Sequence, residues 1–100
     1  MSTQNQENKK RIMTLTIITP NTAPVSVECD SVHLTAEDNA EGSDGGLYGI
    51  RPGHAPAIIA LAEGKLEAFL SGEKVMSTIC MQGFARVSDN KIIITAESVK

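Results

Sequence analysis

From Ile12 onward the apolar side chains recur at every second position, the spacing of a strand with one buried face rather than the 3.6-residue spacing of a helix. In Ile12–Thr19, Met13, Leu15 and Ile17 share one face while Thr14 and Thr16 take the other. Across Val25–Leu34, Val25, Val27 and Cys29 alternate with Ser26, Glu28 and Asp30. Val32 and Leu34 then resume after a one-residue slip of the kind a β-bulge produces. Leu66, Ala68 and Leu70 repeat the pattern against Lys65, Glu67 and Phe69. Val75, Ile79 and Met81 repeat it against Lys74, Thr78 and Gln82, with Ser77 as an interruption. Phe84 to Val87 and Lys91 to Thr95 supply the last two strands. Turn formers at Pro20-Asn21, Glu63-Gly64, Ser71-Gly72 and Asp89-Asn90 separate the runs. Ser71-Gly72 and Asp89-Asn90 predict tight hairpins, because these residue types tolerate the left-handed backbone such turns require. Short strands punctuated this often predict an all-β sandwich or barrel. No segment after the first eleven residues carries a helical apolar face.

Residues Met1 to Arg11 are polar, lack a periodic face and predict a disordered leader, which leaves residues 12–100 as one β-sandwich domain. One hundred residues suit a single domain with a modest core. The formal charge of −3, with no basic stripe, argues against nucleic acid, and one Tyr, two Phe and no Trp offer few stacking platforms. Cys29 and Cys80 form no CxxC pair; they read as buried thiols of a reducing cytosol, a single disulfide being the alternative. The longest apolar run, Ala57–Ala62, is far shorter than the ~20 residues of a membrane helix. Lys9-Lys10-Arg11 leads into an alternating segment instead of the apolar stretch of a secretory signal. A soluble cytoplasmic chain is the expectation.

Catalytic chemistry has few candidates. His33 and His54 are the two histidines; Ser31 shares the face of His33, but no nucleophile-elbow context surrounds it. Glu37, Asp38, Glu41 and Asp44 crowd the segment Ala36–Gly46, yet Ala40 falls where the second ligand of a calcium loop would stand after Asp38. Gly42, Gly45, Gly46 and Gly49 do not form GxGxxG, and two Cys and two His scattered along strands do not make a zinc site. No cofactor, metal or small-molecule substrate is expected, and the chain does not read as an enzyme.

The most informative stretch is Gly49–Pro56, Gly-Ile-Arg-Pro-Gly-His-Ala-Pro. Two prolines fix their own φ and bias Arg51 and Ala55 toward extended conformations, while Gly49 and Gly53 permit angles a side chain would forbid. This predicts a stiff loop that aims His54, serving as a presented surface or as a plain crossover between sheets.

Set beside its neighbours, that loop resembles a known family. Gly46–Pro56 followed by Ala57-Ile58-Ile59-Ala60-Leu61 and Gly64-Lys65-Leu66 is similar to the signature of the epsilon subunit of F-type ATP synthase, in its N-terminal β-sandwich domain. Leu15–Pro20, Asp30-Ser31-Val32, Gly83–Val87 and Asn90–Glu97 match in order, so the resemblance spans about residues 13–98. It implies a sandwich of about ten strands and a non-catalytic central-stalk subunit, which links gamma to the c-ring and couples ion-driven rotation to ATP synthesis. The partners implied are gamma and the c-ring, with the membrane reached only through the complex, on the cytoplasmic side of a bacterial inner membrane. By position, Tyr48, Gly49, Ile50, Arg51, Pro52, Gly53 and His54 are implied to lie toward the c-ring. An apolar patch on one sheet is implied for gamma, with Phe69, Met76 and Met81 as candidates.

Three departures stand out. The family's short Pro-Gly turn after the second strand is replaced by Thr35–Gly46, longer and acidic, which suggests a divergent or alternate-operon form. Leu47 stands where many relatives carry an acidic residue. Relatives usually continue into a C-terminal helical hairpin, which residues 12–100 do not include; either this form lacks it or the sequence was cut at the domain boundary, and the expected fold of these residues is the sandwich without it. The competing reading is a free-standing β-sandwich binding module for a peptide or sugar ligand.

Overall fold

A computed structural model describes residues 12–37 and 46–100; the polar leader and most of the acidic segment lie outside the described residues. Nine strands occur among the described residues: β1 (Met13–Thr19), β2 (Thr22–Cys29), β3 (Ser31–Ala36), β4 (Gly46–Ile50), β5 (Ala57–Leu61), β6 (Gly64–Leu70), β7 (Glu73–Cys80), β8 (Gly83–Ser88) and β9 (Lys91–Ala96). They pair in the order β2-β1-β9-β8-β5-β3-β6-β7, with β4 on the free side of β3. Between β5 and β3 the ladder narrows to one pair, Ala36 with Leu61. The path folds over there into two layers, β2-β1-β9-β8-β5 and β4-β3-β6-β7, and β2 returns over β6 and β7. The all-β sandwich read from the alternation is present, with nine strands where about ten were implied.

The core is the inward half of the alternation. Met13, Leu15 and Ile17 of β1, Val32 and Leu34 of β3, Leu66 and Ala68 of β6, Ala85 and Val87 of β8, and Ile92 and Ile94 of β9 are all buried. Among the described residues Thr19 is the one buried polar side chain, and its hydroxyl is paired with that of Thr22. Cys29 and Cys80 are buried free thiols. Both expected hairpins form: Ser71-Gly72 (φ 53° and 82°) joins β6 to β7, and Asp89-Asn90 (φ 58° and 61°) joins β8 to β9. β1 lies parallel to β9 and antiparallel to β2.

Three details of register differ from the sequence reading. The slip near Asp30 is a crossing between layers, not a bulge: β2 ends at Cys29, and Asp30 turns the chain into β3. The Asp30 amide donates to the Phe69 carbonyl at 2.8 Å, and its carboxylate accepts from the Ser71 amide at 3.0 Å. A true bulge sits in β7, where Ala68 pairs with Met76 and Phe69 with Lys74, so Val75 is the extra residue. That insertion inverts the strand's phase. Val75 and Ile79 face outward while Met76 packs on the core and Cys80 is buried, the reverse of the simple alternation. Finally, Val25 is exposed although its parity matches Cys29, because β2 is the outermost strand and its register shifts near Pro24. An edge position is where a residue without an amide hydrogen is tolerated.

Two measurements test this packing. Gly83 begins β8 between Leu61 and Ala96, and a Cβ there would collide with the backbone of Thr95 and Ala96, whereas one at Gly46 meets nothing within 4 Å. Gly83→Ala is expected to lower the free energy of urea unfolding by about 1–3 kcal/mol, with Gly46→Ala near neutral. Burial, followed by the nearby Asp30 charge, pushes the Cys29 thiol up from 9.0 to about 11. The native state therefore holds its proton where the unfolded chain releases it, so stability falls as pH rises from about 9 to 11. Cys29→Ala should flatten that part of the stability–pH curve.

Candidate functional site

The chain passes from β4 in one layer to β5 in the other through Arg51–Pro56. Its first four residues form a turn. The His54 amide donates to the Arg51 carbonyl at 3.1 Å, Pro52 supplies a fixed φ, and Gly53 takes +87°, the pattern of a type II turn. The Gly53 amide donates to Asn90 Oδ1 at 2.8 Å, which ties this turn to the β8–β9 hairpin. The His54 ring is held at both nitrogens. Nδ1 is 2.7 Å from the Ala55 carbonyl, which can only accept, so in the neutral ring Nε2 accepts from the Tyr48 hydroxyl at 3.0 Å. The firmness predicted from the prolines is thus reinforced by contacts from two other elements.

The seven residues Tyr48–His54 do not form one surface. Ile50 is wholly buried and anchors the loop from inside the core, so its side chain is closed to a partner. Gly49 lies inside β4 opposite His33 with no left-handed φ, so it is a strand residue and not a loop hinge. Tyr48 is half-buried against the core, and Pro52 and His54 are half-buried. Arg51 is exposed and has no ion-pair partner among the described residues. With Pro52 it borders an open concavity of ≈ 700 Å³ that also touches Asp30, His33, Phe69 and Ser71. Within it Ser31 Oγ and His33 Nε2 are 3.5 Å apart, the outer limit of a hydrogen bond, with the His33 ring tilted against Phe69. Nothing there orients the imidazole as a base toward the hydroxyl.

The outer faces of the two layers carry different side chains. On β4-β3-β6-β7 the outward residues include Thr35, His33, Lys65, Glu67, Lys74 and Ser77, together with the exposed apolar Leu47, Val75 and Ile79. Lys74 and Glu67 pair at 2.9 Å, and the Lys74 hydrogen bond holds the Glu67 carboxyl below its usual range. On β2-β1-β9-β8-β5 the outward residues include Ile18, Ile58, Phe84 and Ile93, with Phe84 58% and Ile58 73% exposed. Cross-strand pairing makes them neighbours: Ile58 faces Arg86, Arg86 faces Ile93, Ala60 faces Phe84 and Phe84 faces Thr95. The candidates Phe69, Met76 and Met81 do not share a face. Phe69 lies outward on the β4-β3-β6-β7 layer, Met76 packs on the core, and Met81 sits at the crossing from β7 to β8. Exposed apolar side chains occur on both layers, and the group Ile58, Phe84 and Ile93 is built from residues other than those three. Its signal in the sequence was the unbroken runs Ala57–Leu61 and Ile92-Ile93-Ile94, since strands covered on both sides lose their alternation.

A family model described as ATP synthase, Delta/Epsilon chain, beta-sandwich domain matches residues 12–100. The chain belongs to this family. Among curated relatives of this delta/epsilon domain, ATP synthase epsilon chains of Anaeromyxobacter sp. (strain K) and Nitratidesulfovibrio vulgaris (strain DP4) are 33% and 37% identical over 88 and 86 residues. Those alignments take in 88% and 86% of this chain but 61% and 58% of the relatives, so the chain spans about three fifths of their length. The fold is also that of a chain in the cryo-EM structure of the Euglena gracilis mitochondrial ATP synthase, OSCP/F1/c-ring, with TM-score 0.72 and 21% identity over 88% of this chain and 52% of that one. A chain in the Tetrahymena thermophila mitochondrial ATP synthase central stalk/c-ring superposes with TM-score 0.64 at 18% identity, over 88% of this chain and 65% of that one.

The crossover geometry of this delta/epsilon domain generates its own test. Gly53→Ala places a side chain at a left-handed φ and should lower unfolding free energy by about 1–2 kcal/mol. Tyr48→Phe, which removes only the hydroxyl beside His54, should cost about 0.5–1.5 kcal/mol in the same urea titration.

Proposed function

We propose that this domain is part of a non-catalytic central-stalk subunit of an F-type ATP synthase, joining gamma to the c-ring so that ion-driven rotation reaches the catalytic sector. The observation that carries the reading is family membership over residues 12–100. Two features of the surface support it. The exposed Ile58, Phe84 and Ile93 make an apolar stretch of sheet surface of the kind a partner covers, in this reading the gamma subunit. At one end of the sandwich, the braced turn of Pro52 and Gly53 presents Arg51, whose fork of donors suits the carboxylates and carbonyls of ring loops. A stiff two-layer body between gamma and the ring resists shear, which a coupling element requires. The membrane is reached through the complex, on the cytoplasmic side, and among the described residues no helix is long and apolar enough to cross one.

Co-expression of the intact subunit with its cognate gamma subunit and c-ring tests the assignment. All three are expected to elute together, and Arg51→Ala should reduce ring retention while leaving the unfolding midpoint unchanged. Elution of the subunit alone, with a soluble peptide or sugar raising its melting temperature instead, would identify a free-standing binding module.

A further inference from the structure

Three strands, β2, β7 and β4, pair on one side only, and each leaves a row of backbone groups at a sheet edge. Such rows recruit other strands unless proline, charge, a bulge or a covering segment blocks them. β2 carries Pro24 and Glu28, and the β1–β2 register shifts between Ile17 and Thr19. β7 has the bulge at Val75 beside Glu73 and Lys74. Its other half is covered by residues 98–100. The Met81 amide donates to the Ser98 carbonyl at 3.0 Å, and the Lys100 amide to the Ile79 carbonyl at 3.0 Å. β4, Gly-Leu-Tyr-Gly-Ile, has no proline, charge or bulge, and among the described residues no segment is bonded to its free side.

The groups on that side can be identified. The Thr35 carbonyl accepts from the Ala62 amide and the Glu37 amide donates to the Ala60 carbonyl, so these residues of β3 point their backbone groups toward β5. Val32, Leu34 and Ala36 point the other way and bond to Ile50, Tyr48 and Gly46. Leu47 and Gly49 are left with their amides and carbonyls at the free edge. The Leu47 side chain is 78% exposed, the most of any large apolar residue described, while Gly49, opposite His33, has no side chain.

These features complement a second copy of themselves. In an antiparallel pair of β4 strands centred on Tyr48, Leu47 of each copy faces Gly49 of the other. Both positions have their backbone groups at the edge, so they exchange amide-to-carbonyl hydrogen bonds in both directions. Each Leu47 fills the gap beside the facing glycine. The same register sets Ile50 of one copy opposite Gly46 of the other, which brings Arg51 to the end where Ala36 and Glu37 lie. Arg51 and Glu37 are opposite charges, and neither has an ion-pair partner among the described residues.

We propose that β4 is a self-pairing edge, through which two copies of this chain join their β4-β3-β6-β7 layers into one continuous sheet about a two-fold axis. The pairing belongs to the subunit outside the synthase and goes beyond the stalk reading. Both use Arg51, so a subunit seated on the ring is unpaired.

Sedimentation equilibrium of the intact subunit over a roughly hundredfold concentration range tests the pairing, with thermal melts to verify that each variant is folded. The wild type is expected to show a monomer–dimer equilibrium. Leu47→Lys sets a charge on the shared edge, and Gly49→Pro removes a donor at the free edge only. Each should raise the dissociation constant by roughly tenfold or more. Val75→Lys, on the blocked edge of β7, should leave it unchanged. A wild-type monomer throughout, a dimer that Leu47→Lys leaves intact, or one that Val75→Lys weakens equally overturns the proposal. None of these results bears on whether the subunit elutes with gamma and the ring.

Discussion

Everything in this domain depends on closing two β-layers around one apolar interior at the narrow junction between Ala36 and Leu61. Closure commits every second side chain of the central strands to the core, where burial of apolar area is the main favourable term. Leu15, Leu34, Leu66 and Ile94 contribute from four strands in both layers, so neither layer has a dry interior by itself. What remains for function is the outward half of the alternation. The core constrains that half little, so the two layers can carry different surfaces, one with the Lys74–Glu67 pair beside exposed Leu47, Val75 and Ile79, the other with Ile58, Phe84 and Ile93 around Arg86.

The same division explains what could be read from residues alone. β1 and β6 were legible because they alternate, β8 and β9 because good turn formers bound them, and Ser71-Gly72 and Asp89-Asn90 turn as their chemistry demands. β4 was not legible, since Gly46-Leu47-Tyr48-Gly49-Ile50 is short, glycine-rich and flanked by acidic loop residues. Missing that strand also misplaced Ile50, because without a strand there is no parity to send its side chain inward. β7 was found but read in the wrong phase, as a bulge shifts parity without leaving a mark in composition.

At the surface the balance was reversed. The proline-bracketed loop could be recognised as rigid, but the atoms that brace it come from afar, Asn90 from the β8–β9 hairpin and Tyr48 from β4. Such long-range contacts leave no local pattern. The apolar face escaped for a related reason: Phe69, Met76 and Met81 are large and apolar, yet size does not say which side of a sheet a residue occupies. Ile58 and Phe84 needed the ladder registers before they became neighbours of Ile93 across Arg86.

The parallel pairing of β1 with β9 has a consequence for how the domain is made. These two strands, first and last among the nine described, lie side by side in the middle of the larger layer, Thr14 beside Lys91 and Ile18 beside Thr95. During synthesis β1 and β2 can form a hairpin early, but one flank of β1 stays open until the ribosome has released β9. Contacts this remote in sequence slow folding and make it an all-or-none event. Until then the nascent chain keeps an unsatisfied sheet edge, and β9 is the strand that locks the layer.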